Sequence, residues 1–148
     1  MALDEHLRQV KEVTLLPFCR IAARFATPTQ LTLVGFVFGL LAPVCIIWQF
    51  YVLANFLWWI NRFFDGIDGV VARLSNRQSD FGGYIDILCD FTIYSLIPIS
   101  LVVAEPSEQS YLIVALLEGS FFMNAASQLY LGSLLEKRSL NSSRFTLD

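Results

Sequence analysis

The chain has 148 residues, of which 55% are hydrophobic and only 16% charged, and its mean hydropathy is +0.58. A water-soluble domain is usually about 45–50% apolar and about 25% charged. The composition therefore argues against a soluble enzyme and favours lipid as the solvent. The net charge of −3 decides little, because the placement of charges matters more than their sum. We expect no nucleic-acid partner.

Four long apolar stretches follow one another along the chain. They run from about residue 31 to 50, from 51 to 64 with a polar extension to 73, from 82 to 104, and from 111 to 135. Each is long enough to cross a hydrocarbon core of about 30 Å as a helix. Backbone polar groups in lipid must be satisfied within the segment, so helices are the structure expected. The predicted fold is an all-α polytopic membrane protein with about four transmembrane helices.

Basic residues are concentrated in alternate connections between these stretches. They precede the first span, separate the second from the third, and follow the fourth: Arg8, Lys11, Arg20, Arg24, Arg73, Arg77, Lys137, Arg138 and Arg144. Basic loops usually remain on the cytoplasmic side of a membrane. The pattern predicts that both termini and the loop between spans two and three are cytoplasmic. It does not indicate which membrane the protein occupies.

We expect three regions: an N-terminal cytoplasmic segment with an interfacial helix at 1–26, a membrane domain at 27–138 and a polar tail at 139–148. Within the first, four apolar residues recur at helical spacing, while two arginines face elsewhere: Phe18, Ile21, Ala22 and Phe25, with Arg20 and Arg24. This is typical of a helix lying on anionic lipid. A basic flank that only sets the topology explains the pattern equally well.

The beginning of the first span carries local signals. Thr27 is a candidate N-cap, Pro28 suits the first turn, and Gln30 stands at the capping-box position. Gly35 and Gly39 form a small-xxx-small pair, which indicates close helix packing. The three cysteines show neither metal-binding nor disulfide spacing, so we interpret them as small apolar residues: Cys19, Cys45 and Cys89.

Four aspartates interrupt the apolar helices: Asp65, Asp68, Asp86 and Asp90. An ionised aspartate at the centre of a membrane helix costs roughly 2.5–3.5 kcal/mol, so their presence needs a functional explanation. The first pair lies about 60° apart on one helix and the second about 40° apart on the next. The two pairs are expected at the same depth in the membrane. Asp65 lies about 12 Å of helix before Arg73, and Asp90 lies about 12 Å of helix after Gly82. The four carboxylates are therefore predicted to meet near the cytoplasmic surface.

Clustered carboxylates repel one another unless cations lie between them. Oxygen ligands suit hard ions such as Mg²⁺ or Mn²⁺, and two such ions form a recurrent arrangement for phosphoryl chemistry. Glycines nearby allow a ligand to approach the backbone closely: Gly66, Gly69, Gly82 and Gly83. Arg73 supplies a cationic fork that suits a phosphate. An ion channel or transporter also uses intramembrane carboxylates, but here they lie near one surface and nothing comparable continues across.

The motif itself reads Asp65-Gly66-Ile67-Asp68-Gly69-Val70-Val71-Ala72-Arg73, followed after eight residues by Gly82, then by Asp86 and Asp90. This pattern resembles the signature of the CDP-alcohol phosphotransferase family at every fixed position. The resemblance implies a transferase of phospholipid biosynthesis. Such an enzyme moves a phosphatidyl group from a CDP-linked lipid donor to a small alcohol acceptor and releases CMP.

The resemblance also implies residue roles. The four aspartates would hold two divalent cations, Mg²⁺ or Mn²⁺, and Asp90 would be the base that deprotonates the acceptor hydroxyl. The CDP moiety would be bound by five residues: Thr32, Gly69, Ala72, Arg73 and Gly82. Family members often carry Pro-Asn-x-x-Thr at the start of span one. Here Pro28 and Thr32 match, whereas Thr29 stands in place of the asparagine.

The match departs from the family in length, because its members usually have six membrane helices. The chain therefore resembles the first two-thirds of a typical member, as a C-terminally truncated form would. Two hypotheses follow. The chain is a transferase, with homodimer formation expected, or it is a non-catalytic membrane protein that acts by pairing with a full-length relative.

The fourth span offers candidate acceptor-binding residues. Asn124 and Gln128 lie near Ser120 and Ser127 on one helix face, and Lys137 with Arg138 follows the span. Hydrogen bonding between helices explains the polar side chains slightly better than acceptor binding does. Anchoring of the span end at the cytoplasmic surface explains the two basic residues better.

Overall fold

The structure, a computed structural model, describes residues 16–145. Over that range the chain forms five helices and no strand, which confirms the all-α prediction. The helices are α1 (16–25), α2 (Pro28–Ile47), α3 (Tyr51–Leu74), α4 (Asp80–Ala104) and α5 (Glu108–Phe145). The predictions for residues 1–15 and 146–148 lie outside the described residues. Part of the predicted polar tail, 139–145, continues α5 as helical backbone.

The chain divides into two compact units. The first ends at Glu105 and contains α1 to α4, and the second begins at Pro106 and contains α5. Within the first unit, α2 packs against both α3 and α4. Helix α2 is therefore the central element of this unit.

The start of α2 confirms the predicted capping box. Thr27 accepts a hydrogen bond from the Gln30 backbone N–H at 3.3 Å, and the Gln30 side chain accepts one from the Thr27 N–H at 2.8 Å. Pro28 occupies the first turn, where its missing N–H has no intrahelical partner to lose. A cap of this kind typically contributes about 1 kcal/mol to helix stability.

Two glycines allow α2 to approach its neighbours closely. A Cβ added at Gly35 would lie 2.7 Å from the Phe64 Cβ of α3. One added at Gly39 would lie 2.8 Å from the Ile93 Cδ1 of α4 and 3.0 Å from the Asn61 side chain of α3. At Gly35 the neighbouring atom is a Cβ that moves only with its helix, so a side chain there would push α2 and α3 apart. At Gly39 the Ile93 methyl group and the Asn61 amide would have to shift to admit a Cβ. The packing predicted for this glycine pair is confirmed.

Helix α1 buries its small residues against the core, and its Phe18 ring meets the Phe63 ring of α3 edge-on, with 6.1 Å between the ring centres. Cys19 is fully buried and its thiol donates to the Ile67 carbonyl oxygen at 3.9 Å. Burial raises the pKa of this thiol, which suits the predicted role of a small apolar residue. Three residues of the predicted apolar face are exposed, Phe18 at 57%, Ile21 at 60% and Phe25 at 84%, whereas the fourth, Ala22, packs against the core. These side chains are accessible to lipid, and the interfacial role of α1 stays a prediction.

Three helices among the described residues are long and apolar enough to cross a membrane: α2, α4 and the 108–138 part of α5. Helix α3 has sufficient length, with 24 residues. Its second half, however, carries the aspartate motif, and each half carries one arginine, Arg62 and Arg73, so its hydropathy is lower. The predicted count of four spans depends on α3 and stays a prediction.

Antiparallel packing brings three helix ends together. At one end of the first unit, the Tyr51 hydroxyl at the start of α3 donates to the Glu105 carboxylate beyond α4 at 3.0 Å. The turn after α3 uses Asn76 at φ 52, a left-handed conformation that asparagine tolerates well. The start of α2, the end of α3 and the start of α4 consequently meet at the opposite end, where the motif lies.

Candidate active site

A cavity of about 210 Å³ lies where α2 and α4 begin and α3 ends. Its lining comes from these three helices and the loop between α3 and α4: Pro28, Thr29, Thr32, Asp68, Gly69, Ala72, Arg73, Arg77, Gln78, Ser79, Gly82, Gly83 and Asp86. Pockets for drug-sized ligands usually measure about 300–1,000 Å³. The cavity therefore suits part of a nucleotide, such as its phosphates, rather than a whole lipid-linked donor.

The cavity brings together all five residues predicted to bind the CDP moiety. Thr32 comes from α2, three others from the end of α3, and Gly82 from the first turn of α4. Asp68 and Asp86 of the predicted metal set also line it. Asp65 and Asp90 are not among its lining residues. Helix packing thus brings motif residues that are distant in the sequence onto one surface.

Positive charge and helix N-termini face this cavity. Arg73 and Arg77 line it, and α2 and α4 both begin there. Helix N-termini carry partial positive charge and unsatisfied N–H groups, so they attract phosphates. At α4, Ser79 caps the helix by accepting from the Gly82 N–H at 3.0 Å. The surroundings favour an anionic ligand.

Two glycines keep the backbone accessible at the cavity. A Cβ at Gly69 would lie 3.5 Å from an Arg73 guanidinium nitrogen, so Arg73 folds back over this glycine. A Cβ at Gly82 would lie 3.0 Å from the Ser79 Oγ and 3.7 Å from the Thr29 Oγ1. Side chains at either position would narrow the space between α2, α3 and α4. Thr29, which replaces the family's asparagine, also lines the cavity.

Asp68 is the most deeply buried of the motif aspartates, with 5% of its surface exposed. The Thr32 hydroxyl of α2 donates to its Oδ2 at 2.5 Å. A charged group in such a place requires hydrogen-bond partners, because desolvation is otherwise costly. The predicted nucleotide-site threonine therefore also orients a motif carboxylate.

Asp90 is bound by Arg62, a basic residue of α3 itself, for which the sequence predicted no role. Arg62 NH2 lies 2.5 Å from Asp90 Oδ1, and Arg62 NH1 lies 3.6 Å from Asp65 Oδ2. The Tyr94 hydroxyl accepts from Arg62 NH1 at 2.8 Å. A basic residue inside an apolar helix is itself a sign that a carboxylate partner lies nearby. Arg77 was predicted only as a basic loop residue, because its loop position gave no periodic signal for a place at the cavity.

The carboxylates lie close enough to repel one another. Asp86 experiences the charges of Asp65 and Asp90, and Asp68 experiences those of Asp65 and Asp86. Their oxygen chemistry fits a hard divalent cation, which would relieve this repulsion. Within residues 16–145, however, no three carboxylate, thiol or imidazole side chains converge tightly enough to form a metal site. The carboxylate oxygens are suitable ligands for the predicted cations, but the four side chains do not fully converge on one point.

The predicted acceptor-binding residues lie on α5, in the second unit: Asn124, Gln128, Lys137 and Arg138. Gln128 Nε2 donates to Asn124 Oδ1 at 3.3 Å, a bond within the helix. All four side chains are exposed in the described structure. Their role toward an acceptor stays a prediction.

An all-helical membrane protein with a phosphate-suited, aspartate-lined cavity is the class that this geometry defines. The chain belongs to the CDP-alcohol phosphatidyltransferase family, whose model matches residues 25–142. It is 34% identical to the inner membrane protein YnjF of Escherichia coli over 141 residues, which cover 95% of this chain and 68% of YnjF. The family and this relative support an integral membrane protein.

Two further relatives carry more specific names. The archaetidylinositol phosphate synthase of Pyrococcus horikoshii is 34% identical over 57% of this chain and 47% of the relative. The bifunctional IPC transferase and DIPP synthase of Thermococcus kodakarensis is 31% identical over 72% of this chain and 25% of the relative. The chain thus spans half or less of both proteins. No solved structure shows a significant match.

Proposed function

We propose that this chain transfers a phosphatidyl group from a CDP-linked lipid to an alcohol and releases CMP, as a step of phospholipid biosynthesis. The observation that carries the proposal is that six motif residues from α3 and α4 line one cavity with Thr32 of α2: Asp68, Gly69, Ala72, Arg73, Gly82 and Asp86. The family membership supports the same reaction. The predicted orientation would place the cavity on the cytoplasmic side of the membrane.

The donor's phosphates would bind at the cavity. Arg73 offers a planar set of N–H donors, and the N-termini of α2 and α4 add partial positive charge. Gly69 and Gly82 leave the backbone open to a close approach. Thr32 is already bonded to Asp68, so it would couple donor binding to the position of that carboxylate.

Mg²⁺ or Mn²⁺ would be held by the carboxylates of Asp65, Asp68, Asp86 and Asp90. When bound, such ions supply electrostatic stabilisation of the charge that develops on the phosphate oxygens. The oxygen donor set and its mutual repulsion support this assignment. Two ions are expected from the resemblance to the family.

Asp90 would act as the base. Its carboxylate takes the proton of the acceptor hydroxyl as the oxygen forms a bond to the β-phosphorus of the donor. The bond between that phosphorus and the CMP oxygen breaks, and CMP leaves with the electron pair. An alcohol is a weak nucleophile at neutral pH, so removal of its proton lowers the barrier. The name of one relative, the archaetidylinositol phosphate synthase, makes an inositol phosphate a reasonable first acceptor to assay.

CMP release by the full chain, reconstituted with a CDP-linked lipid and a set of alcohols, tests the proposal. We expect release to require Mg²⁺ or Mn²⁺, to stop with a chelator and to be lost in Asp68→Asn. Asp80→Asn is the matched control, since Asp80 is exposed at the start of α4 and does not line the cavity.

Donor binding without CMP release from any alcohol would favour the alternative, a non-catalytic protein that pairs with a full-length relative. Donor affinity that a strong chelator leaves unchanged would contradict the metal assignment. Neither result would alter the family membership.

A further inference from the structure

Arg62 makes an unusually complete set of contacts for a basic residue inside an apolar helix. Its Nε and NH2 donate to Asn61 Oδ1 at 3.0 and 2.8 Å. NH2 and NH1 donate to the two oxygens of Asp90 at 2.5 and 3.5 Å. NH1 also donates to the Tyr94 hydroxyl at 2.8 Å, and the guanidinium carbon lies 5.1 Å from that ring's centre.

These contacts occupy all the hydrogen-bond donors of the guanidinium group. An arginine has five N–H donors, and the structure gives Arg62 five hydrogen bonds, all to protein atoms. A phosphate from a ligand would have to displace one of them. Arg62 therefore differs from Arg73, which lines the cavity. Its role is directed toward other side chains.

The network connects all three helices of the motif region. Asn61 is buried, and its Nδ2 donates to the Gly35 carbonyl oxygen of α2 at 3.1 Å. The Asn61 Oδ1 accepts a hydrogen bond from Arg62 of α3, which in turn binds Asp90 of α4. A chain of hydrogen bonds thus runs from the α2 backbone to the Asp90 carboxylate. Tyr94 closes it by donating to Asp90 Oδ2 at 3.4 Å.

We propose that Arg62 is a positioning residue of the transfer reaction, which fixes the Asp90 carboxylate across the interface between α3 and α4. The inference rests on the proposed function, in which Asp90 is the base. Two parallel N–H groups on two carboxylate oxygens define the orientation of the carboxylate as well as its place. A lysine supplies one compact charge and no such fork.

Arg62→Lys is the informative variant, because it retains the charge and loses the fork. We expect kcat to fall by roughly 10- to 100-fold, the range that misplacement of a reacting group produces. The affinity for the CDP-linked lipid should remain within about threefold, since Arg62 is not among the residues that line the cavity. Tyr94→Phe should give a smaller fall in kcat. Tyr84→Phe on the same helix, where Tyr84 is 59% exposed, is the control.

A second measurement keeps the test independent of turnover. Thermal unfolding of Arg62→Gln, Asp90→Asn and the double variant should give a loss of Tm in the double variant that is smaller than the sum, because each single change breaks the same pair. Additive losses would overturn the inference. So would near-normal kcat in Arg62→Lys, or a loss of donor affinity as large as the loss of kcat. Absence of CMP release from the unsubstituted chain would overturn the proposed function, and this role with it.

Discussion

Helices α3 and α5 both carry polar residues in an apolar context, and they satisfy them differently. In α3 three polar residues bond to other helices. Asn61 binds the α2 backbone, Arg62 binds Asp90 of α4, and Asp68 accepts from Thr32 of α2. Each of these bonds fixes one helix against another.

In α5 the polar groups bond within the helix. The hydroxyls of Ser120 and Ser133 donate to carbonyl oxygens three residues earlier, and Gln128 donates to Asn124. A polar residue in an apolar helix is therefore an ambiguous signal by itself. Where its hydrogen-bond partners come from other helices, the residue indicates a site. Where they come from the preceding turn of its own helix, it indicates only that its hydrogen bonds are satisfied locally.

The largest effect should come from the carboxylate that Arg62 holds. Asp90→Asn should lower kcat by about 10²–10⁴-fold, the usual contribution of a general base, while much of the donor binding remains. Single-turnover CMP release and a donor-binding assay separate the two effects. Turnover near that of the unsubstituted protein would move the base to another residue.

Arg73→Ala should act on the donor instead. Loss of a charge-assisted hydrogen bond typically costs about 1.5–3 kcal/mol, which corresponds to a donor KM raised by roughly 10- to 100-fold. Arg24→Ala, an exposed arginine of α1 away from the cavity, is the matched control. Equal changes in donor KM for both variants would show that general surface charge, rather than the cavity, attracts the donor.

A pair of glycine variants compares the packing of the two regions. Gly39→Ala should destabilise the protein by about 1–3 kcal/mol, because its methyl group would lie 2.8 Å from the Ile93 Cδ1. At Gly132 of α5 an added Cβ meets no described atom within 4 Å, so Gly132→Ala should be neutral or slightly stabilising. Denaturation curves in detergent measure both. Equal destabilisation would show that α5 is as tightly packed at Gly132 as α2 is at Gly39.

The smallest effect is expected for Gln128→Ala. Its bond to Asn124 is exposed and lies within one helix, where such pairs contribute about 0.2–0.5 kcal/mol. Asn61→Ala, which removes a buried bond between helices, should cost about 1–3 kcal/mol. If Gln128→Ala instead raises the acceptor KM several-fold at unchanged stability, the predicted acceptor site on α5 gains its first support.

Features with a local cause could be predicted from the sequence. The helices follow from apolar length, and the capping box at Thr27 follows from residues three positions apart. The spacing of the motif placed each aspartate pair on one helix face, because the helical period is fixed. The five residues predicted to bind the CDP moiety follow from the resemblance to the family, and the structure places them together around the cavity.

Features that depend on contact between distant residues required the tertiary structure. Helical spacing predicted an apolar face on α1, but it gave no sign that Cys19 would be the residue buried against Ile67 of α3. Arg62 stands three residues before Asp65 in the sequence, so both lie on one helix. Its pairing with Asp90, 28 residues further along, depends on how α3 and α4 pack around α2. The sequence by itself determined which helices form and which charges they carry, whereas tertiary packing decided which of those charges meet.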